Sequence, residues 1–230
     1  MRQVVVLAGG LGTRLGALTA AMPKPLMPVA GRPFLEHLLE KAHRHGFDRV
    51  LLLAGHLHER IEAWLAESRI AERLGLEVAI NVEPAPLGTG GALVHALPVL
   101  DEAFLLVNGD TWFDFDWRAL AQIEAHPFVV ALRTVPHADR YERAVLEGGR
   151  IETFLPRDAA GAGPALINGG AYRIQRETIP DWPGAWSLEQ RLLPDLVEQA
   201  RLGGAVFEGT FIDIGLPEAL DAAQALLARP

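Results

Sequence analysis

Four glycines, Gly9, Gly10, Gly12 and Gly16, follow closely on the apolar residues 4–7, with Arg14 among them and Lys24 held between Pro23 and Pro25. Glycine lets a backbone turn tightly and bring bare N–H groups against a ligand, and a loop leaving the carboxyl end of a strand is where α/β proteins bind. Arg14 can hold a phosphate with two parallel bonds, while Lys24 supplies a compact charge at a reacting centre from a segment that its prolines stiffen. Two fixed cations and a nest of backbone donors suit a polyphosphate. Neither standard phosphate motif fits. No glycine here is followed by Lys and then Ser or Thr, as a Walker A loop requires, and Gly10, Gly12 and Gly16 are one residue too widely spaced for the dinucleotide fingerprint. A surface loop with a solvated Arg and Lys stays open as the alternative.

Such a loop needs a sheet behind it, and the chain supplies one. Apolar runs alternate with amphipathic stretches, the α/β pattern of a mixed, mostly parallel sheet flanked by helices. Strands are expected at residues 4–7, 50–54, 76–82, 104–107 and 128–132, with a hairpin turning at Gly148 and Gly149 and a last short strand at 211–215. Pro33 opens a helix whose face is Leu35, Leu38, Leu39 and Ala42, and Gly46 ends it. A second carries Ile61, Trp64 and Leu65; a third begins at residues 92–97 after a glycine-rich turn; Asp116 caps a fourth running through Ala125. Ser187 and Gln190 make a capping box for a helix that Pro194 must kink or break, and Pro217 opens the last helix with Leu220, Ala223 and Leu226 inward. With no repeat and no linker, residues 1–230 read as a single Rossmann-like domain, with 136–185 as a subregion laid against it.

Composition narrows the partners. The 230 residues are half hydrophobic and carry a formal charge of −8, which argues against broad nucleic-acid or anionic-membrane binding, since either wants a basic face. Trp112, Phe113, Phe115 and Trp117 read as core and groove wall, because no basic residues are interleaved among them as in a nucleic-acid stacking platform. The chain has no cysteine, so disulfides and thiolate metal sites are excluded. A strand directly after Met1 and the lack of an apolar stretch near the ~20 residues of a membrane span predict a cytoplasmic protein. HLHER at His56 lacks His-Glu-x-x-His spacing and is expected at the surface or at a helix cap. Asp116 is expected to cap and Asp114 to be solvated.

GGLGTRL followed by PKPLMPVAGRPFLEHLL resembles the signature of the sugar-1-phosphate nucleotidylyltransferases, and four further motifs stand in that family's order: EPAPLGTGGAL, LLVNGDTWFDFD, INGGAYRI and FIDIGLPEAL. Within the family, the LGTGG, RY, INGG and FIDIG forms are most similar to the D-glycero-α-D-manno-heptose 1-phosphate guanylyltransferases, with mannose-1-phosphate guanylyltransferases and N-acetylmuramate 1-phosphate uridylyltransferases as near relatives. The resemblance implies the nucleotide-diphospho-sugar transferase type of fold and a reaction in which a sugar 1-phosphate attacks the α-phosphorus of a nucleoside triphosphate and pyrophosphate leaves. It gives Arg14 and Lys24 as catalytic, Asp110 and Asp213 as ligands of a Mg²⁺ cofactor, and Leu7, Ala8, Gly9, Gly10, Gly12, Thr13, Glu83, Gly88 and Thr89 as nucleotide-binding. Asn108, Gly109, Tyr141, Arg157, Asn168 and Gly169 fall to the sugar. Oxygen ligands and one or two carboxylates are what Mg²⁺ accepts beside substrate phosphates. Read without the resemblance, Asp110 could be a turn residue and Asp213 a core aspartate satisfied by backbone donors. Glu83 as a two-acceptor carboxylate matches guanine's ring N–H and amino group, against the reading of a solvated loop carboxylate.

Two departures from the family pattern fall at the sugar end. Pro156 and Arg157 stand where relatives carry Glu and Lys, and Glu142 follows Tyr141 where they carry Gly. Partners are thus expected to be a nucleoside triphosphate and a sugar 1-phosphate, with homo-oligomerisation left open. A glycosyltransferase, and a non-catalytic nucleotide-sugar-binding regulatory module, are the competing classes; neither needs Arg14, Lys24, Asp110 and Asp213 together.

Overall fold

The computed structural model describes residues 1–10, 21–137, 141–157, 163–215 and 217–228. In chain order the strands are β1 (Gln3–Leu7), β2 (Pro28–Val29), β3 (Arg32–Pro33), β4 (Arg49–Ala54), β5 (Glu77–Val82), β6 (Ala103–Asn108), β7 (Thr111–Phe113), β8 (Phe128–Val135), β9 (Arg143–Glu147), β10 (Arg150–Leu155), β11 (Ala165–Gln175), β12 (Leu202–Val206) and β13 (Phe211–Asp213). The α-helices are α1 (Phe34–Arg44), α2 (His58–Ser68), α3 (Ile70–Leu74), α4 (Gly88–Ala96), α5 (Trp117–Ala121), α6 (Leu193–Glu198) and α7 (Pro217–Leu227).

Nine strands form one mixed sheet in the order β5-β4-β1-β6-β11-β8-β12-β10-β9. Its first four are parallel; β11 enters antiparallel to both β6 and β8, β12 runs parallel to β8, and the β9–β10 hairpin closes the far side. Because side chains alternate across a strand, Val4 and Val6 face one layer with Leu35, Leu38 and Leu39 of α1, while Val5 faces the other with Leu93 of α4 and Leu196 of α6. Both layers are buried, as the continuous apolar runs of the parallel strands require.

Several elements differ from expectation for identifiable reasons. Helix α4 begins at Gly88, not near Ala92, because the N–H groups of Gly90 and Gly91 donate to the Trp186 carbonyl at 2.9 and 3.4 Å and the glycine-rich turn becomes the first helical turn. Helix α5 is capped by Asp116 as expected, accepting from Arg118 N at 2.9 Å, but stops at Ala121. Its end tightens into an Ile123-to-Leu120 bond ahead of Pro127, which disfavours helix at the preceding residue. Strands β11 and β12 were hidden by the pairs Gly169–Gly170 and Gly203–Gly204, which break the apolar pattern where neighbours press close. A Cβ on Gly204 would lie 2.8 Å from Leu132 and Leu146 methyls. β13 leaves the main sheet and pairs antiparallel with β7 as a separate ribbon. Before Pro194 the chain makes a π-helical turn, Leu188–Leu192, so the proline falls in the first turn of α6 and breaks nothing. Among the described residues no helix is long and apolar enough to cross a membrane.

Candidate active site

Lys24 opens a short 3₁₀ turn, Lys24–Leu26, that Pro25 favours at its first positions, and its side chain is nearly buried. The ammonium contacts Asp110 Oδ2 and lies 3.9 Å from Asp213 Oδ1. Three separate stretches of chain meet here because of the β7–β13 ribbon. It pairs Thr111 with Asp213, and Ile214 N donates to the Asp110 carbonyl at 2.9 Å. Gly109 must be glycine: its N–H donates to Leu7 O at 3.0 Å, and a Cβ would lie 2.4 Å from that oxygen, so Asp110 can be set down beside the end of β1. Gly215 N donates to Asp213 Oδ1 at 2.7 Å, and Thr111 Oγ1 donates to Asp110 Oδ1 at 3.2 Å. Two carboxylates against one ammonium leave a net negative charge and oxygen donors, which fit a divalent cation such as Mg²⁺ that fills its remaining positions with phosphate and water. Among the described residues no group of three or more His, Asp or Glu is placed to hold a metal, so an ion here would depend on the substrate for the rest of its coordination.

Two cavities open beside this cluster. One, of ≈ 150 Å³, is bordered by Leu7, Ala8 and Gly10 at the end of β1 and by Lys24, Thr89 and Asp110. The other, of ≈ 380 Å³, is bordered by Tyr141, Arg157, Asn168, Gly170 and Asp213. Asn108 and Glu189 border both. Of the residues expected at the nucleotide, Leu7, Ala8, Gly10 and Thr89 border the smaller cavity, and of those expected at the sugar, Asn108, Tyr141, Arg157 and Asn168 border the larger; Gly9, Glu83, Gly88, Gly109 and Gly169 do not sort this way. Gly109 lies on the smaller cavity. Gly169 packs against the Phe113 ring and the Ala131 carbonyl, and a register irregularity in β11 turns Gly170, at φ +71°, toward the larger cavity instead. Gly88, also at φ +71°, lies against the Trp186 carbonyl, where a Cβ would come within 2.6 Å. Glu83 accepts from Leu87 N at 3.0 Å and rests against Gly9 and Gly55, so the carboxylate and Gly9 buttress the start of α4 and the end of β1. Gly12, Thr13 and Arg14 lie outside the described residues, as does Gly16.

Three residues bordering the larger cavity were not singled out for the site in the sequence. Glu189 and Ser187 were hidden in a stretch read as a helix cap; that reading holds in part, since Gln190 N donates to Ser187 Oγ at 3.2 Å. Tyr172 is fully buried, its hydroxyl accepting from Asn168 Nδ2 at 2.9 Å, and burial first and the Glu189 charge second push its pKa well above the usual phenol value. Asn108 Oδ1 is buried and has no hydrogen-bond partner among the described residues.

Behind the ribbon sits a buried cation that nothing in the sequence announced. Lys41 is 1% exposed, its ammonium donating to the Phe113 carbonyl and lying 3.5 Å from Asp114 Oδ1. Trp112, Trp117 and Phe115 surround it, with ring centroids at 4.6, 5.2 and 5.6 Å, so the aromatic cluster is core, as expected, but with a lysine inside it. Desolvation lowers this pKa to about 8 against the opposing pull of Asp114. His58, in HLHER, opens α2 with Nδ1 at 3.0 Å from Gly55 O, a helix-start position.

The chain as a whole is similar to known proteins. The model of the nucleotidyl transferase family matches residues 3–228. The chain is 32% identical over 219 residues to the D-glycero-alpha-D-manno-heptose 1-phosphate guanylyltransferase of Campylobacter jejuni, covering 94% of this chain and 96% of that one. It is 31% identical to the enzyme of the same name from Aneurinibacillus thermoaerophilus, covering 96% of each. The crystal structure of HddC from Yersinia pseudotuberculosis superposes with a TM-score of 0.86 at 28% identity, covering 99% of this chain and 100% of that one; HddC has also been solved in complex with GMP-PN.

Proposed function

The chain belongs to the nucleotidyl transferase family, and from that premise we propose that it transfers GMP from GTP to D-glycero-α-D-manno-heptose 1-phosphate, releasing pyrophosphate. The observation that carries this reading is the Lys24 ammonium held by Asp110 and Asp213 where the smaller cavity meets the larger one. In such a reaction the sugar phosphate oxygen attacks the α-phosphorus in line with the departing pyrophosphate, and the protein contributes position and charge. Lys24 sits where it neutralises the α-phosphate and the incoming sugar phosphate together, and the carboxylates fix its direction. Arg14, by its place in the glycine loop, takes the leaving pyrophosphate. Asp110 and Asp213 would hold Mg²⁺, which when bound offsets triphosphate charge and makes the α-phosphorus more electrophilic.

The base is read as guanine and the sugar as manno-configured because the relatives named above are guanylyltransferases acting on a manno-heptose. Residues 1–230 act as one nucleotidyltransferase domain, within which 136–185 supplies Tyr141, Arg157 and Asn168 to the sugar. Pyrophosphate release with Mg²⁺, measured for GTP, UTP, dTTP, CTP and ATP against heptose, mannose and N-acetylmuramic acid 1-phosphates, tests the reading. Release with GTP and the heptose is expected. Release with another pair replaces the substrates, and release of nucleoside diphosphate instead of pyrophosphate would overturn the reaction class.

A further inference from the structure

The wall shared by the two cavities carries one carboxylate, Glu189, and one amide, Asn108. Glu189 sits in the π-helical turn Leu188–Leu192, an irregularity that recurs where a side chain must be aimed at a site. Its Oε2 receives the Thr89 hydroxyl at 2.9 Å and the Ser187 hydroxyl at 2.8 Å. The buried Tyr172 hydroxyl also bonds this carboxylate. All three donors are neutral, so they orient the carboxylate and leave its charge in place. Thr89 Oγ1 in turn accepts from Leu188 N at 2.8 Å, which ties the turn to the start of α4 and makes the placement rigid. On the same wall the buried Asn108 Oδ1 is unpartnered among the described residues. A carboxylate and an amide oxygen repel phosphate and carbonyl oxygens and receive O–H groups. Arg157 and Tyr141, on the other borders of the larger cavity, can meet a phosphate or a ring face, but they are not anionic acceptors.

We infer that the Glu189 carboxylate accepts a hydroxyl of the sugar 1-phosphate and that Glu189 is thereby a specificity-determining residue. The inference rests on the reading of the larger cavity as the sugar site. A sugar ring lacking the contacted hydroxyl leaves a charged acceptor buried against it without a partner, which is how a hydrogen-bonding site rejects a close analogue.

The test is Glu189→Gln, which keeps shape and an acceptor for Thr89 and Ser187, assayed with whichever nucleotide the wild type uses against D-glycero-α-D-manno-heptose 1-phosphate and its singly deoxygenated derivatives. The substitution is expected to lower kcat/KM for the sugar by about ten- to a hundredfold, with the KM of the nucleotide unchanged within about twofold. One deoxy derivative should be nearly as poor with the wild type, and on that derivative the substitution should cost little further. A loss spread evenly over all sugars, with a lowered melting midpoint, would make Glu189 a structural tie and overturn the inference. A loss that disappears with a deoxyribose nucleotide would assign the hydroxyl to the nucleotide and overturn it equally. Wild-type pyrophosphate release is read separately. Its presence, with Glu189→Gln matching the wild type on every sugar, sinks this inference alone, whereas its absence sinks the reading of the site and this inference with it.

Discussion

At the scale of single residues, charge is the organising quantity. Removing Lys24 leaves Asp110 and Asp213 facing each other without their cation, so Lys24→Ala is expected to lower the melting midpoint in metal-free buffer and to recover it with Mg²⁺ more than the wild type gains. Turnover should stay depressed by about two to three orders of magnitude even at saturating Mg²⁺, because a metal on the carboxylates does not replace an ammonium aimed at the phosphates. Calorimetric scans with and without Mg²⁺ beside pyrophosphate release decide it; full rescue of turnover would return Lys24 to a structural role. Lys41 gives a second prediction, in pH. Its folded pKa, about 8, lies below the ordinary lysine value of 10.5, so between those values the unfolded chain binds more protons and stability rises with pH. Below pH 8 both states are protonated and the full cost of burying the charge is present. Relative to Lys41→Met, the wild type should therefore gain stability between pH 8 and 10.5, by at most about 3 kcal/mol, measured by urea unfolding at several pH values. A pH-independent difference would show that the aromatic cage holds the pKa at its ordinary value. Residue types announced Lys24, Asp110 and Asp213 because their spacing carried a family's motif; Lys41 was illegible because only the fold of the ribbon over α1 makes a surface-type residue a buried one.

At the scale of elements, the parts legible in the sequence are those whose burial writes a periodic pattern. β1, β4 and β6 are largely apolar runs within the parallel half of the sheet, β5 at its edge keeps Val78, Ile80 and Val82 on alternate positions, and α1 shows its inward stripe at Leu35, Leu38, Leu39 and Ala42. β11 and β12 were illegible because glycines stand where a neighbour's backbone or side chain fills the space. The same cause moved the start of α4, and it can be tested there. A Cβ on Gly90 would lie 1.9 Å from a Trp186 ring carbon, so Gly90→Ala must displace either the indole or the first turn of α4. Because Thr89 is carried on that turn and pins Glu189, the damage is expected in two readouts: a loss of about 1–3 kcal/mol in unfolding free energy, and a raised KM for the sugar as the wall between the cavities shifts. Gly75→Ala serves as the control. Gly75 sits at φ +63° with open space around its would-be Cβ, so the cost there should be confined to backbone strain without an effect on KM.

At the scale of the whole molecule, the sheet order explains why one chain can hold both substrates. The parallel half carries the loop end of β1 and the Asn108–Asp110 turn, the other half carries Asn168 and Gly170, and β11 joins the two by pairing with β6 and β8 together. Since Tyr172 of β11 pairs with Leu106 and Val130 across both neighbours, the halves share one hydrogen-bonded ladder and one buried layer. A chain so built should unfold as a unit. The prediction is a single transition in which tryptophan fluorescence and far-ultraviolet circular dichroism coincide. Fluorescence samples both layers, with Trp112 and Trp117 packed in one and Trp186 in the other, so a separately melting 136–185 subregion would split the two probes. Under the proposed function, Mg²⁺ and GTP should raise the midpoint of that one transition, by about 2.7 kcal/mol of linkage at a hundredfold excess over Kd. Adding a sugar 1-phosphate to the nucleotide complex should move it further as a whole. A ligand that shifted only part of the signal would show that the seam at β11 does not couple the halves, and the two sites would then have to be brought together by some step other than folding.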